Sequence, residues 1–401
     1  MSVMTRYVST SVLIVMLLGF SVVALAQDAM SETEPICTLA DRITGLNKGV
    51  QVAGCPTSQG SKAIHLWDDL VLTEPLPVIT SRITVVGNGH SISGNGQFRI
   101  FEVDGGELSV KRLYMRDGHA EVGGCLSVKN GGMLYVLDST MQDCHASMYG
   151  GAIRNVRSDL HVVGSVLTRN SAAMGGGAIS TASSLSTTIE NSLFENNAAR
   201  WGGAIVFHED RGNITNTILR DNFAEQTGGA IENVEGVLQV RKSVLSHNEA
   251  GGGGGIHTQG WTSALIVDDS TFTGNVAAGR GGAIRIRRGS QVFMNGSAAI
   301  ANSAGDAGGA IFSFDGSITI IDSKISKNDA PIGAAIYAEC CDVTIGDSSV
   351  DDSKSDDDGE SIYVDKGDLQ LLKHLDVIGN SEAEMHPVTA FDSLGGRLLS
   401  G

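Results

Sequence analysis

Asp117-Gly118-His119 and Asp143-Cys144-His145 stand 26 residues apart in a chain of 401. Two imidazoles, two carboxylates and a thiol brought together could hold Zn2+ or a similar divalent ion, because these are the ligands such ions take. The same residues also suit ordinary turns at degenerate positions of a repeat, which is the expectation here. Metal ligation by Asp117, His119, Asp143 and His145 stays open, and no cofactor is expected. Glycoside hydrolysis would need two carboxylates about 5–9.5 Å apart across the scissile bond. Lyase chemistry would need acids holding Ca2+ beside an arginine base. The dense basic stretch is Arg285, Arg287 and Arg288, which reads as a solvated face. Asp322 and Asp347 share a register and read as turn residues. The acidic run Asp351, Asp352, Asp356, Asp357, Asp358 and Glu360 lacks the spaced ligands of an EF-hand and reads as a solvated insertion.

The elements that would position these groups are set by a repeat. Gly-Gly-Ala-Ile ends at Ile153, Ile179, Ile205, Ile231, Ile284 and Ile311, and degenerate copies end at Leu126, Ile256, Ile336 and Ile362. Successive copies lie 27, 26, 26, 26, 25, 28, 27, 25 and 26 residues apart, the mark of a solenoid of stacked units. Alternating apolar pairs such as Leu134/Val136, Leu160/Val162, Leu238/Val240 and Ile318/Ile320 are the strand signal. Behind them run a hydroxyl column, from Ser139 and Ser165 to Ser348, and an amide column of Asn170, Asn197, Asn222, Asn248, Asn275, Asn302 and Asn328. Stacking at the strand spacing turns these columns into structural ladders, and an Asn ladder satisfies polar groups inside a turn. The paired glycines supply φ > 0 or close backbone approach. The fold expected is all-β: a parallel β-helix.

Two columns are read as outward-facing. Within the main strand the column runs Ser109, Tyr135, His161, Thr188, Asn213, Gln239, Ile266, Phe293, Thr319, Thr344, Gln370. After the repeat Ile it runs Ser127, Arg154, Ser180, Val206, Glu232, His257, Arg285, Phe312, Tyr337, with Glu232 its one carboxylate. Catalysis on such a surface needs gathered acids, so no catalytic residue is expected. A mixed face including His161, His257, Phe293, Phe312 and Tyr337 suits binding better.

Units such as Ser192-Leu-Phe194-Glu-Asn-Asn197 through Gly202-Gly-Ala-Ile205 resemble the FxxN and GGAI repeats of chlamydial-type polymorphic outer membrane proteins. More widely, they resemble right-handed parallel β-helix repeat proteins of the pectin-lyase-like superfamily. The resemblance implies a right-handed, single-stranded solenoid, and implies little about function, since fold does not determine it. The family resembles autotransporters with a large C-terminal β-barrel, and no such domain is expected up to Gly401.

Residues 1–26 read as a cleaved signal peptide, with Arg6, an apolar run and Ala24-Leu25-Ala26. Residues 27–59 read as an N-terminal cap, in which Thr38 to Asp41 opens a short capping helix with Leu39, Ile43 and Leu46 on one face. Residues 60–380 form the β-helix domain, and 381–401 a C-terminal cap or tail. Cys37 and Cys55 are expected to pair. The pairing of Cys125 and Cys144 stays open, and Cys340 and Cys341 can join only as a strained vicinal disulfide. A net charge of −17 argues against nucleic acid or anionic membrane as partner. No transmembrane segment is expected in the exported chain. The reading is therefore a secreted or cell-surface monomer that binds a polysaccharide or a surface protein. The alternative is a polysaccharide lyase or glycoside hydrolase acting on acidic polysaccharide.

Overall fold

The computed structural model describes residues 37–52, 54–55, 62–351, 353–354, 361–372, 376–378 and 398–399. The leader, most of the acidic insertion and nearly all of the tail lie outside the described residues. Among those described, the chain winds a parallel β-solenoid of about 11 turns.

One coil shows how the sequence builds all of them. Met133–Leu137 lies in sheet 1, Thr140–Gln142 in sheet 2, His145–Tyr149 in sheet 3 and Ile153–Val156 in sheet 4. The next coil then re-enters sheet 1 at Asp159–Val163. The four sheets contain 13, 14, 8 and 11 strands, each strand paired in parallel with its counterpart one coil away. Within a strand, alternate residues point inward, so Leu134 and Val136 stack on Leu160 and Val162, all with no exposed surface. Inward Ile153 stacks on Ile179, and Ile179 on Ile205, extending one continuous core along the axis.

Each coil turns four corners in the left-handed region, at Asp138 (φ 48°), Asp143 (φ 53°), Gly150 (φ 67°) and Arg157 (φ 49°) in the coil described. Only the Gly-Gly corner requires glycine at its second position as well. A Cβ on Gly151 would overlap the carbonyl oxygen of Gly177 in the next coil. The first glycine supplies the positive φ, and the second the close approach.

The polar ladders follow two of the corners. Asn222 Oδ1 accepts from Asn197 N–H and Asn197 Nδ2, each at 3.0 Å. Asn222 Nδ2 donates to Asn248 Oδ1 at 2.9 Å and to the Phe194 carbonyl at 3.1 Å. The pattern runs from Asn170 to Asn328, and these amides are at most 1% exposed. The hydroxyl column does the same work one corner earlier: Ser139 N–H donates to Ser165 Oγ at 3.2 Å, and Ser165 N–H to Ser192 Oγ.

The N-terminal face is closed by the helix Leu39–Lys48. Asp41 N–H donates to Thr38 Oγ1 at 3.1 Å and Thr38 N–H donates back to Asp41 Oδ2 at 3.0 Å, completing a capping box. Ile43 is fully buried, with Leu39 and Leu46 packed against the same core. Asn47 ties the helix down, bonding the Val78 carbonyl and the Thr80 N–H. A disulfide joins Cys37 to Cys55, and a second joins Cys125 to Cys144, whose Cα atoms are 5.6 Å apart. Cys340 is exposed and Cys341 buried, and both are free thiols.

Candidate functional site

The two Asp-x-His copies do stack. The His119 and His145 rings lie 5.1 Å apart at 23°, one coil above the other. Burial, and then the neighbouring His119, hold the His145 imidazole below its ordinary value. The other donors turn elsewhere. Asp117 accepts from Arg116 at 2.6 Å and from Ser93 at 3.0 Å. Asp143 accepts from Arg169 twice at 3.0 Å, and Cys144 is oxidised. Among the described residues no group of three His, Cys, Asp or Glu side chains is placed to hold a metal ion.

The sheet 1 column faces outward in the register the spacing gives, with Tyr135 and His161 stacked at 4.9 Å. Acids do stand on this face at the strand ends, among them Glu107 and Asp268. They are held by Arg82 at 2.7 Å and Arg241 at 3.2 Å. Reading only the central column missed them. Asp322 (φ 48°) and Asp347 (φ 46°) sit at left-handed corners of consecutive coils.

The column after the repeat Ile corrects the sequence reading. It points away from the core but is not an open face: Glu232 is 3% exposed, His257 2% and Phe312 1%. The cause is the preceding strand of sheet 3, whose last residue rises beside the Gly-Gly corner and covers the column. Tyr149, Gly175, Trp201, Thr227 and Gly252 form that wall in register. Large and small residues interlock across it. The Arg154 guanidinium lies over the Tyr149 ring at 5.3 Å, and that of Arg280 over Phe312 at 5.1 Å. A Cβ on Gly175 would come within 3.1 Å of Val206. Arg285 is likewise not on a solvated face, because its guanidinium rests against Gly252, where the wall has no side chain.

This groove contains the most chemically loaded ladder in the molecule. Glu232, His257, Arg285, Phe312, Tyr337 and Tyr363 follow one another on consecutive coils. His257 Nδ1 bonds both oxygens of Glu232 at 2.9 and 3.0 Å, and Gln259 Nε2 donates to the same carboxylate at 3.3 Å. That contact places the proton on Nδ1, and Nε2, which is buried, has no partner. Arg285 Nε is buried and unpartnered too. Burial, then repulsion by Arg287 and Arg280, lowers the Arg285 guanidinium from its ordinary value. Farther along, Phe312, Tyr337 and Tyr363 stack face to face at 5.2 and 4.9 Å. Their ring faces cover one another, so this strip offers edges rather than a stacking platform. Burial first, and then the Glu339 carboxylate, raise the Tyr337 phenol.

A second feature that alternation did not single out is apolar. Val166, Leu193, Ile218 and Val244 stack on the outer face of sheet 2, with Ile218 44% and Val244 36% exposed. Phe223 and Val276 stand exposed round the corner on sheet 3.

Residues 269–287 match the Chlamydia polymorphic membrane protein (Chlamydia_PMP) repeat. No curated protein matches the chain. A solved structure described as the Streptococcus pneumoniae surface protein and adhesin PfbA is similar over 85% of this chain and 95% of its own, at 11% identity and a TM-score of 0.31. That level of likeness carries no argument about this protein's function. No helix among the described residues is long and apolar enough to cross a membrane.

Proposed function

We propose that this chain is an exported, cell-surface or secreted binding module that holds a macromolecular partner on the outer faces of its solenoid. In this reading residues 1–26 are removed on export, 27–59 cap the rod and 60–380 form the binding body. The carrying observation is the apolar column Val166, Leu193, Ile218 and Val244, in register on a rigid sheet of an otherwise acidic molecule. Contiguous exposed apolar surface marks sites of association. The surface-protein repeat matched by residues 269–287 agrees with such a location. The test is binding of the mature chain to a panel of purified extracellular matrix proteins and to a glycan array. Saturable binding is expected, weakened at least tenfold by Ile218→Asp with Val244→Asp at an unchanged melting temperature. No saturable binding to any member, or binding indifferent to the double substitution, sinks the reading.

One observation favours a second reading. A carboxylate that orients an imidazole, with the far nitrogen buried and unpartnered, is the pairing a general base uses when substrate can reach that nitrogen. Under that reading Glu232 and His257 would serve a polysaccharide lyase or hydrolase. Turnover of an acidic polysaccharide that vanishes in Glu232→Gln, with folding intact, would establish it in place of the non-catalytic one.

A further inference from the structure

Several arginines of this chain are paired with acids. Arg82, Arg99, Arg169, Arg220 and Arg241 each meet a carboxylate at 2.6 to 3.2 Å. Arg285 and Arg287 have no such partner among the described residues, and Arg280 reaches Asp306 only at 3.8 Å. All three belong to one stretch of one coil. Arg285 and Arg287 point outward from the same strand, Ile284–Arg287. Arg280 leans over Phe312, the next member of the Arg285 column.

The nearest acid in that column is already occupied. Glu232 is two coils away, and both its oxygens are taken by His257, with Gln259 adding a third contact. The imidazole stands between carboxylate and guanidinium as a spacer. A chain of net charge −17 thus gathers these three arginines within one coil, and one of them, Arg285, is half-buried with no carboxylate beside it. Leaving a partly buried cation without a counter-charge is unfavourable, and a planar guanidinium fork matches a carboxylate or sulfate oxygen pair. The unpartnered Arg285 Nε and His257 Nε2, on neighbouring coils, are two further polar atoms that the fold leaves unused.

We propose that Arg285, flanked by Arg280 and Arg287 and backed by His257, is a binding site for the oxyanion of an acidic polysaccharide, a carboxylate or a sulfate ester. Continuing along the same column, Tyr337 and Tyr363 offer phenolic groups that both donate and accept, which suits a hydroxyl-rich chain laid along the axis. The site is on sheet 4 and is independent of the apolar column of sheet 2, so failure at one leaves the other standing.

The test is calorimetric titration of the full exported chain with four probes of matched length: an oligogalacturonate, a heparin-derived oligosaccharide, a neutral dextran oligomer and polyglutamate. The result expected is saturable binding of at least one charged glycan, with the first two probes deciding between carboxylate and sulfate. Arg285→Gln should weaken it at least tenfold, Arg285→Lys should recover some of the loss, and Arg287→Gln should weaken it severalfold. Arg287 is half-buried, so its variant reads the site even if Arg285→Gln fails to fold. The proposal is overturned if neither charged glycan binds, if Arg285→Gln and Arg287→Gln both bind like the parent, or if dextran or polyglutamate binds as tightly.

Discussion

The amide of Asn222 shows how much a single buried side chain can carry. It accepts two hydrogen bonds from the coil before and donates two, one to the coil after. Asn222→Leu removes all four and leaves Asn197 without its acceptor and Asn248 without its side-chain donor. A loss of about 1–3 kcal/mol for each buried group left unsatisfied is expected. The control is Asn295→Leu, at an exposed strand end, and urea melts of the two variants should differ clearly. Asn47 would be a poor control, because it pins the capping helix to Val78 and Thr80. His145 offers a second check. Its imidazole should titrate below the ordinary histidine value by NMR, and His119→Ala should move the midpoint up, since the neighbouring ring contributes to the depression. A midpoint indifferent to His119 would mean that burial alone sets it.

At the scale of the element, glycines that only turn the chain and glycines wedged between coils should respond differently to alanine. Gly131 is left-handed with open space around it, so Gly131→Ala should cost about 1–2 kcal/mol of backbone preference. Gly177→Ala drives a methyl into the Gly203 carbonyl and must push neighbouring coils apart, so its thermal melt should fall much further. The strands, the core and the Gly-Gly corner were legible in the sequence because period-two alternation and glycine leave a signature. The other three corners were not. They are built from Asp138, Asp143 and Arg157 in one coil, and from Asn216, Asp221 and Glu235 in another, and no single residue type announces them. The groove was hidden for a similar reason. Alternation says that Glu232, His257 and Phe312 point away from the core, which they do. It cannot say that a neighbouring strand then folds over them.

For the whole molecule, each coil touches only the coils beside it, so stability should be a sum over units and their interfaces. Deleting Ala178–Gly203 joins Gly177 to Ala204 and restores every ladder in register. The shortened chain should keep a β-type circular dichroism spectrum and a cooperative melt. Loss of both would show that the unit was drawn at the wrong boundaries. The same deletion leaves Glu232, His257 and Arg285 on adjacent coils. Oxyanion binding should therefore survive it, which separates damage to the rod from damage to the groove.

The buried amides also all point one way. From Asn170 to Asn302 each side-chain amide gives one N–H to the amide oxygen of the next coil and the other to a backbone carbonyl of the coil before, and from Ser139 to Ser323 the backbone N–H reaches the hydroxyl oxygen of the next coil. Each amide is thus tied to both neighbouring coils, while its oxygen always faces the coil before. The first amide of the row turns its oxygen toward the start of the rod, where Cys144 N–H meets it at 3.0 Å. The last, Asn328, presents its backbone N–H to Ser353 Oγ at 3.3 Å. The row therefore opens on an acceptor and closes on a donor, so its two ends are not interchangeable and a coil inserted into it must keep the same sense.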